Sequence, residues 1–444
     1  MSRKTRFIIL ILCIVLFCVA TPYIVLYSLG YRIDLTHKKI VGTGGIYVKA
    51  FPQGTDVTVD AKVRNTTGLF SNYVFVQNLL PGNHTVSVTK DGYYDYKKNL
   101  VVKENEATKL ENITLFKQKN DFSILGDTIN NFFVAPNSHT ILAITNHPKT
   151  IDFIILDTEN QQKQNVSLNI TNGIVSNVVW SGDSKKALIQ INTNYFLLDT
   201  NSQTPTITLQ KLLAKAEQVS FNQQDILFIK DKKLYSSLNT IPIAPTVLSY
   251  QKVDQTIWYL APDGFLYTYD MQSKTTQKVT LQAWPIKNTT YRLIAFPGYT
   301  FLQEGQNLLQ LNSSLGIFKN VYNSVKEVLL SSDSQKIAYY NDTTISYWLL
   351  NSKEQSTLLQ KYQENIKSVY WVNNDYMIAG TENNIFIFEI DARGNVNTIM
   401  LPKTIILDNN NIDIESPKIF FNQQDKKLYL LTSGKLLVSE ELVP

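Results

Sequence analysis

The side chains best suited to acid–base or metal chemistry are few and poorly spaced for it. The four histidines, His37, His84, His139 and His147, are scattered, and the His139-x7-His147 interval fits no usual zinc-ligand spacing. The run from Asp408 to Asp413 puts Ile412 where a calcium loop needs an oxygen ligand and Asp413 where it needs glycine. It reads as an Asn-rich surface loop. No G-x-S-x-G elbow, phosphate-binding glycine loop, H-E-x-x-H pair or dinucleotide fingerprint occurs. No catalytic residue, cofactor or metal ligand is therefore assigned, and the chain is not expected to be an enzyme. Carboxylates from distant segments could still converge as a glycosidase pair.

Aromatic residues offer a second kind of chemistry, stacking on a ligand. Trp180 and Trp371 precede similar polar turns, but Phe221, Phe421 and Leu330 hold the same phase elsewhere, which points to packing. His84 and the pair Tyr93-Tyr94 flank glycine turns at strand positions and read as turn and core residues. The Asn-x-Ser/Thr triplets at Asn65, Asn83, Asn112 and Asn288 are given no role in so Asn- and Thr-rich a chain.

A chain of 444 residues calls for two or more folded units, and 24 Tyr with 21 Phe favour β structure. Of the net charge of +5, Arg3, Lys4 and Arg6 supply three, leaving +2 for everything else. Nucleic-acid binding is not expected, because the dense basic stripe it needs is missing. Both cysteines, Cys13 and Cys18, lie in the first apolar segment, so the remainder can form neither disulfides nor thiolate metal sites.

That segment, Phe7 to Leu29, has 23 residues and no charge. As a helix it reaches about 34 Å, enough for a hydrocarbon core of about 30 Å. The cationic residues Arg3, Lys4 and Arg6 precede it and set a cytoplasmic N-terminus with the bulk of the chain outside. A cleaved signal would have a shorter apolar region and a small-x-small site; the only candidate, Cys18-Val19-Ala20, is poor, and the apolar run continues past it. The expectation is an uncleaved anchor with a basic tail at 1–6, a span at 7–29 and a polar connector at 30–42.

From about residue 43 to 117 apolar and polar residues alternate with period two. Ile46 and Val48 mark one strand and Val57 and Val59 the next, with turns at Pro52-Gln53-Gly54-Thr55, Pro81-Gly82 and Asp91-Gly92. The pattern predicts a small antiparallel β-sandwich. In order, Gly45-Ile46-Tyr47-Val48, Pro52-Gln53-Gly54-Thr55, Val57-Thr58-Val59-Asp60, Leu80-Pro81-Gly82-Asn83-His84 and Lys90-Asp91-Gly92-Tyr93 resemble the PEGA domain of envelope proteins. Gln53 and Thr55 replace the Glu and Ala of the name, and the central turn, Arg64 to Asn78, is longer than usual. The resemblance implies a spacing or binding module without catalytic residues.

Residues 121–444 repeat one hairpin: an apolar strand, a short polar turn and a second apolar strand. The turns fall near 136, 182, 223, 254, 298, 332, 374 and 423, a period of about 41 residues. Four short strands per unit at that period predict a β-propeller of seven or eight blades, with the fourth and fifth units weakest. The turns Ser181-Gly182-Asp183-Ser184-Lys185-Lys186 and Ser331-Ser332-Asp333-Ser334-Gln335-Lys336 resemble those of TolB-like, WD-related propellers.

The sequence thus predicts a mainly β protein held by one helix in the lipid bilayer of the cell membrane. It would present a propeller outside the cytoplasm to an unidentified envelope protein or glycan, as a binding scaffold. The alternative is an envelope peptidase or glycosidase with its site at the propeller's channel mouth.

Overall fold

The computed structural model describes residues 3–35, 38–68, 71–160, 162–200, 204–223, 225–296, 298–352, 356–407 and 410–443. His37, Asp408 and Asn409 lie outside them. The apolar run forms helix α1 (Arg3–Ser28), which holds Pro22 near its C-terminal end, and its Thr5–Ser28 stretch is long and apolar enough to cross a membrane. Arg3, Lys4 and Arg6 fall within the first turns of the helix rather than in a separate tail, and Phe7 follows inside it, whereas Leu29 lies one residue past its end. The connector expected at 30–42 is instead an antiparallel hairpin of β1 (Tyr31–Asp34) and β2 (Lys39–Gly42). Gly30, at φ +87°, takes the left-handed backbone needed to leave the helix and enter β1 at once.

The small domain has seven strands: β3 (Gly44–Phe51), β4 (Asp56–Val59), β5 (Val63–Thr66), β6 (Tyr73–Leu79), β7 (Gly82–Thr89), β8 (Tyr96–Val102) and β9 (Ala107–Thr114). They make two sheets, ordered β6-β3-β9 and β5-β4-β7-β8. The alternation works as read. Ile46, Val48 and Ala50 of one sheet meet Val57, Val59, Val86 and Val88 of the other in a dry core. The sandwich is not wholly antiparallel, however, because β9 pairs parallel to β3. Periodicity tells which face a residue takes, not the direction of its neighbour, and the crossing from β8 into the other sheet sets that direction. The long central turn also resolves largely into strands, β5 and β6.

Among the described residues the rest of the chain builds eight blades. Their inner strands are Asn131–Val134, Val175–Trp180, Glu217–Asn222, Ser249–Val253, Tyr291–Phe296, Glu327–Leu330, Ser368–Trp371 and Lys418–Asn422. All eight turns marked in the sequence join an inner strand to the second strand of its blade. The last blade takes its outermost strand, β10 (Phe122–Gly126), from the start of the propeller and its other three from the C-terminus. Eight apolar clusters, one between each pair of consecutive blades, complete the ring. In the closing one Phe132 and Ile141 of the first blade pack on Tyr429 and Leu436 of the last.

The incomplete unit is the third blade, with three strands, while the fourth and fifth have four each. After Lys233–Ser236 the chain enters Ile241-Pro242 and Ala244-Pro245, whose prolines cannot supply ladder N–H groups. A single bridge, Leu234 to Ala244, stands where a fourth strand would run.

Candidate functional sites at the channel and the domain seam

The recurring polar turns are structural devices. In the second blade Ser181 Oγ accepts from the Lys186 amide at 2.9 Å and lies 2.7 Å from Asp183 Oδ1, which also accepts from the Lys185 amide. The sixth blade repeats these bonds with Ser331, Lys336, Asp333 and Gln335. In each turn one residue, Ser184 or Ser334, sits at positive φ. Hydrogen bonds from Ser181 and the Lys185 amide hold the Asp183 carboxyl below its ordinary range. These aspartates are spent on closing turns.

Inside the ring, inner strands from the second to the sixth blade border a cavity of about 810 Å³. Some of its polar side chains tie neighbouring blades together. The Gln218 amide donates to the Leu248 and Tyr291 carbonyls and accepts from Ser249 Oγ, and Gln251 exchanges two bonds with Ala295. The side chains of Lys252 and Arg292 make no hydrogen bond or ion pair among the described residues, and both residues border the cavity. Across the ring Lys418 latches the last blade to the first, donating to Asn131 Oδ1 and, at 2.9 Å, to the Phe132 carbonyl. Burial lowers its ammonium pKa to about 8.

The second polar cluster joins the small domain to the seventh blade. Strand β8 puts Tyr96, Lys98, Leu100 and Val102 on its inward phase, so Lys98 is the one cation among apolar neighbours. Its side chain is 0% exposed and that of Glu389 is 5% exposed, with Lys98 Nζ 2.6 Å from Glu389 Oε1. The ammonium also donates to the carbonyls of Asp391, at 2.6 Å, and Asn395, at 2.9 Å. Glu389 accepts further bonds from Tyr96 Oη at 2.9 Å and the Asn397 amide at 2.8 Å. Burial raises the Glu389 carboxyl above its usual range, with Lys98 opposing that rise. For Asp391 burial also acts upward, but Arg393 prevails and the pKa is lowered.

Around this pair the blade's loop caps the outer edge of β8. The Asn395 side chain accepts from the Asn99 amide at 3.0 Å and donates to the Lys97 carbonyl at 2.9 Å, standing in for a neighbouring strand. A Cβ at Gly394 would lie 1.9 Å from the Asn99 carbonyl oxygen, so only glycine permits this approach. Consecutive residues serve opposite sides of the seam. Leu115 packs in the small domain and Phe116 in the cluster between the seventh and eighth blades, while Tyr93 and Tyr94 divide in the same way. Beside the seam lies a cleft of about 290 Å³, bordered by Glu111, Asn112, Asp375 and Arg393. Burial raises the Asp375 carboxyl there.

Residues 43–118 match the PEGA domain family. The chain carries a PEGA domain. It covers the two-sheet unit, and a propeller follows it. Among solved structures, the computationally designed Ika8 protein shares 10% identity at a TM-score of 0.47, covering 72% of this chain and 98% of that one. BamB from Moraxella catarrhalis shares 13% at 0.45, covering 73% and 99%, and the RRP9 WD40 repeats share 10% at 0.41, covering 73% and 98%. At these values the propeller assignment rests on strand order and ring closure. No curated protein matches the sequence.

Other residues flagged in the sequence have structural places. His84 bridges Asp60 Oδ2, at 2.6 Å, and the Leu80 carbonyl, at 2.7 Å, within the PEGA domain. Trp371 is buried between the sixth and seventh blades, and Trp180 packs between the first and second. Asn410–Asp413 pairs with Thr404–Leu407 as a hairpin that buries Ile412. Sequence reasoning missed Lys98 and Glu389. The signal was the phase of Lys98, two residues from Tyr96 on one side and two from Leu100 on the other.

Proposed function

We propose that this protein is a single-pass membrane-anchored scaffold that binds an envelope protein or glycan in the channel of its propeller, outside the cytoplasm, without catalysing a reaction on it. The observation that carries this reading is the cavity of about 810 Å³, bordered by amides, hydroxyls and the side chains of Lys252 and Arg292, which have no hydrogen-bond or ion-pair partner among the described residues. Such groups hold a ligand by hydrogen bonds and charge, and a closed ring fixes them at little entropic cost on binding. The basic residues Arg3, Lys4 and Arg6 before the apolar stretch support the orientation. Contacts between the helix end and Arg32 support retention of the helix, because cleavage would discard them.

The test is capture from envelope extracts with detergent-solubilised full-length protein, comparing it with the K252E/R292E variant. An envelope protein or glycan retained by the first and lost by the second is the expected result. Equal retention by both would overturn the channel as the site, and turnover of the captured ligand would move the reading to an enzyme.

A further inference from the structure

We infer that the hairpin β1–β2 is a second membrane contact, with its apolar face seated in the acyl–headgroup boundary of the bilayer beside the end of α1. This rests on the reading of α1 as an uncleaved anchor. The hairpin is amphipathic in the inverse sense from one on a water-facing surface. Its register pairs Ile33 with Ile40, so these two share one face with Tyr31, and Leu35 follows in the turn just past β1. That face is bare: Ile33 is 52% exposed, Ile40 56% and Leu35 82%. The opposite face carries Arg32 paired with Val41 and Asp34 paired with Lys39, and there Asp34 and Val41 are buried. The face turned away from the protein is thus the apolar one, while three of the four residues on the other face are polar or charged, which is favourable where the outer medium is apolar.

The position fits. About 20 helical residues span the hydrocarbon core, so a span starting at Phe7 ends near Leu26, with Tyr23 and Tyr27 at the outer interface. Only Leu29 and Gly30 separate the helix from the hairpin, which therefore begins at that level. Its apolar face continues the helix surface across a cleft of about 320 Å³, bordered by Tyr23, Leu26, Tyr27, Ile33, Leu35 and Ile40. Arg32 fixes the arrangement. Its guanidinium lies 3.5 Å from the centre of the Tyr27 ring, donates to the Tyr27 and Tyr31 carbonyls at 2.8 Å each, and reaches Asn78 of the PEGA domain at 2.9 Å. Lys38 and Lys39 are exposed at the far end of the hairpin, where long cationic side chains can extend to the headgroup level. Through this clamp the bilayer sets the orientation of the PEGA domain as well as its distance.

The experiment uses full-length protein with Cys13 and Cys18 changed to serine, reconstituted in nanodiscs of phosphatidylethanolamine and phosphatidylglycerol. Single cysteines at Ile33, Leu35 or Ile40 carry a fluorophore, and lipids brominated on the acyl chain serve as quencher. A label at Val15 reports the helix and one at Ser273 the propeller rim. The expected result is quenching of about twofold or more at Ile33→Cys, Leu35→Cys and Ile40→Cys, as at Val15→Cys, with none at Ser273→Cys. Ile33 and Ile40 lie on different strands and Leu35 in the turn after the first, so misfolding of one variant leaves the others decisive. Quenching at Val15→Cys alone would overturn the hairpin contact and leave the anchor standing; quenching nowhere would overturn both. Labels shielded from aqueous iodide yet untouched by brominated lipid would mean that protein covers the face, and would also overturn the inference.

Discussion

Replacing Lys98 with methionine tests whether the seam is held by its buried ion pair. The ammonium makes three hydrogen bonds at 2.6, 2.6 and 2.9 Å, lies 3.7 Å from the Asp391 carboxylate and has no solvent exposure. K98M leaves the Glu389 carboxylate buried with only Tyr96 and the Asn397 amide to satisfy it, and leaves two carbonyls without their donor. Removing one member of a buried pair costs about 3–5 kcal/mol. If that loss falls on docking, the seam opens more often, and about 3 kcal/mol corresponds to roughly 150-fold in the opening equilibrium. Hydrogen–deuterium exchange on the full chain reads this at the Asn99 amide, which is bonded across the seam to Asn395. The double variant K98M/E389M removes the stranded charge and should recover at least half of the lost protection. With Lys98 gone the Glu389 carboxyl rises further. A carboxyl whose folded pKa is raised penalises the fold fully above that pKa, and the penalty is relieved as pH falls toward its unfolded value, so K98M should regain protection as pH falls through the raised folded pKa toward the ordinary carboxylate range. Less than fivefold faster exchange in K98M, or a double variant as damaged as the sum of the singles, would refute the reasoning.

Three further outcomes follow from the same geometry. Gly394→Ala should release the seam as K98M does, because its methyl group meets the Asn99 carbonyl at 1.9 Å; exchange at Asn99 would show it, with the propeller's far blades unchanged. Glu304 accepts from Trp284, Lys287 and Tyr291 between the fourth and fifth blades, and E304A should destabilise the fold by about 2–3 kcal/mol in denaturant titrations. Burial pushes the Glu304 carboxyl upward, but those donors outweigh it and hold it below its usual range, so its contribution is present at neutral pH and lost on acidification through the folded pKa. Lys418 titrates near pH 8 in the fold against 10.5 for an ordinary lysine, so its burial penalty is full below pH 8 and fades as pH rises to about 10.5. Wild-type stability relative to K418M should therefore increase over that window.

The sequence by itself determined the helix, the two β units and the blade count's near value. These properties are written in local runs: an uncharged stretch from Phe7 to Leu29, period-two alternation, and eight polar turns about 41 residues apart. It also marked the residues that pack, such as Trp371 and Ile46, because phase within a strand reports which side is dry. Only the tertiary structure decided which strands become neighbours. The parallel pairing of β9 with β3 and the donation of β10 to the last blade depend on contacts between distant segments, whereas the hairpin in place of a connector is local in sequence and is tied to the PEGA domain by Arg32 and Asn78. The same holds for the seam. Lys98 and Glu389 lie 291 residues apart, and the inward phase of Lys98 marks it as buried without naming the partner that the seventh blade brings to it. Charge recognition in a buried site requires desolvation and a partner at once, and both are created by the fold rather than by either residue's neighbours in the chain.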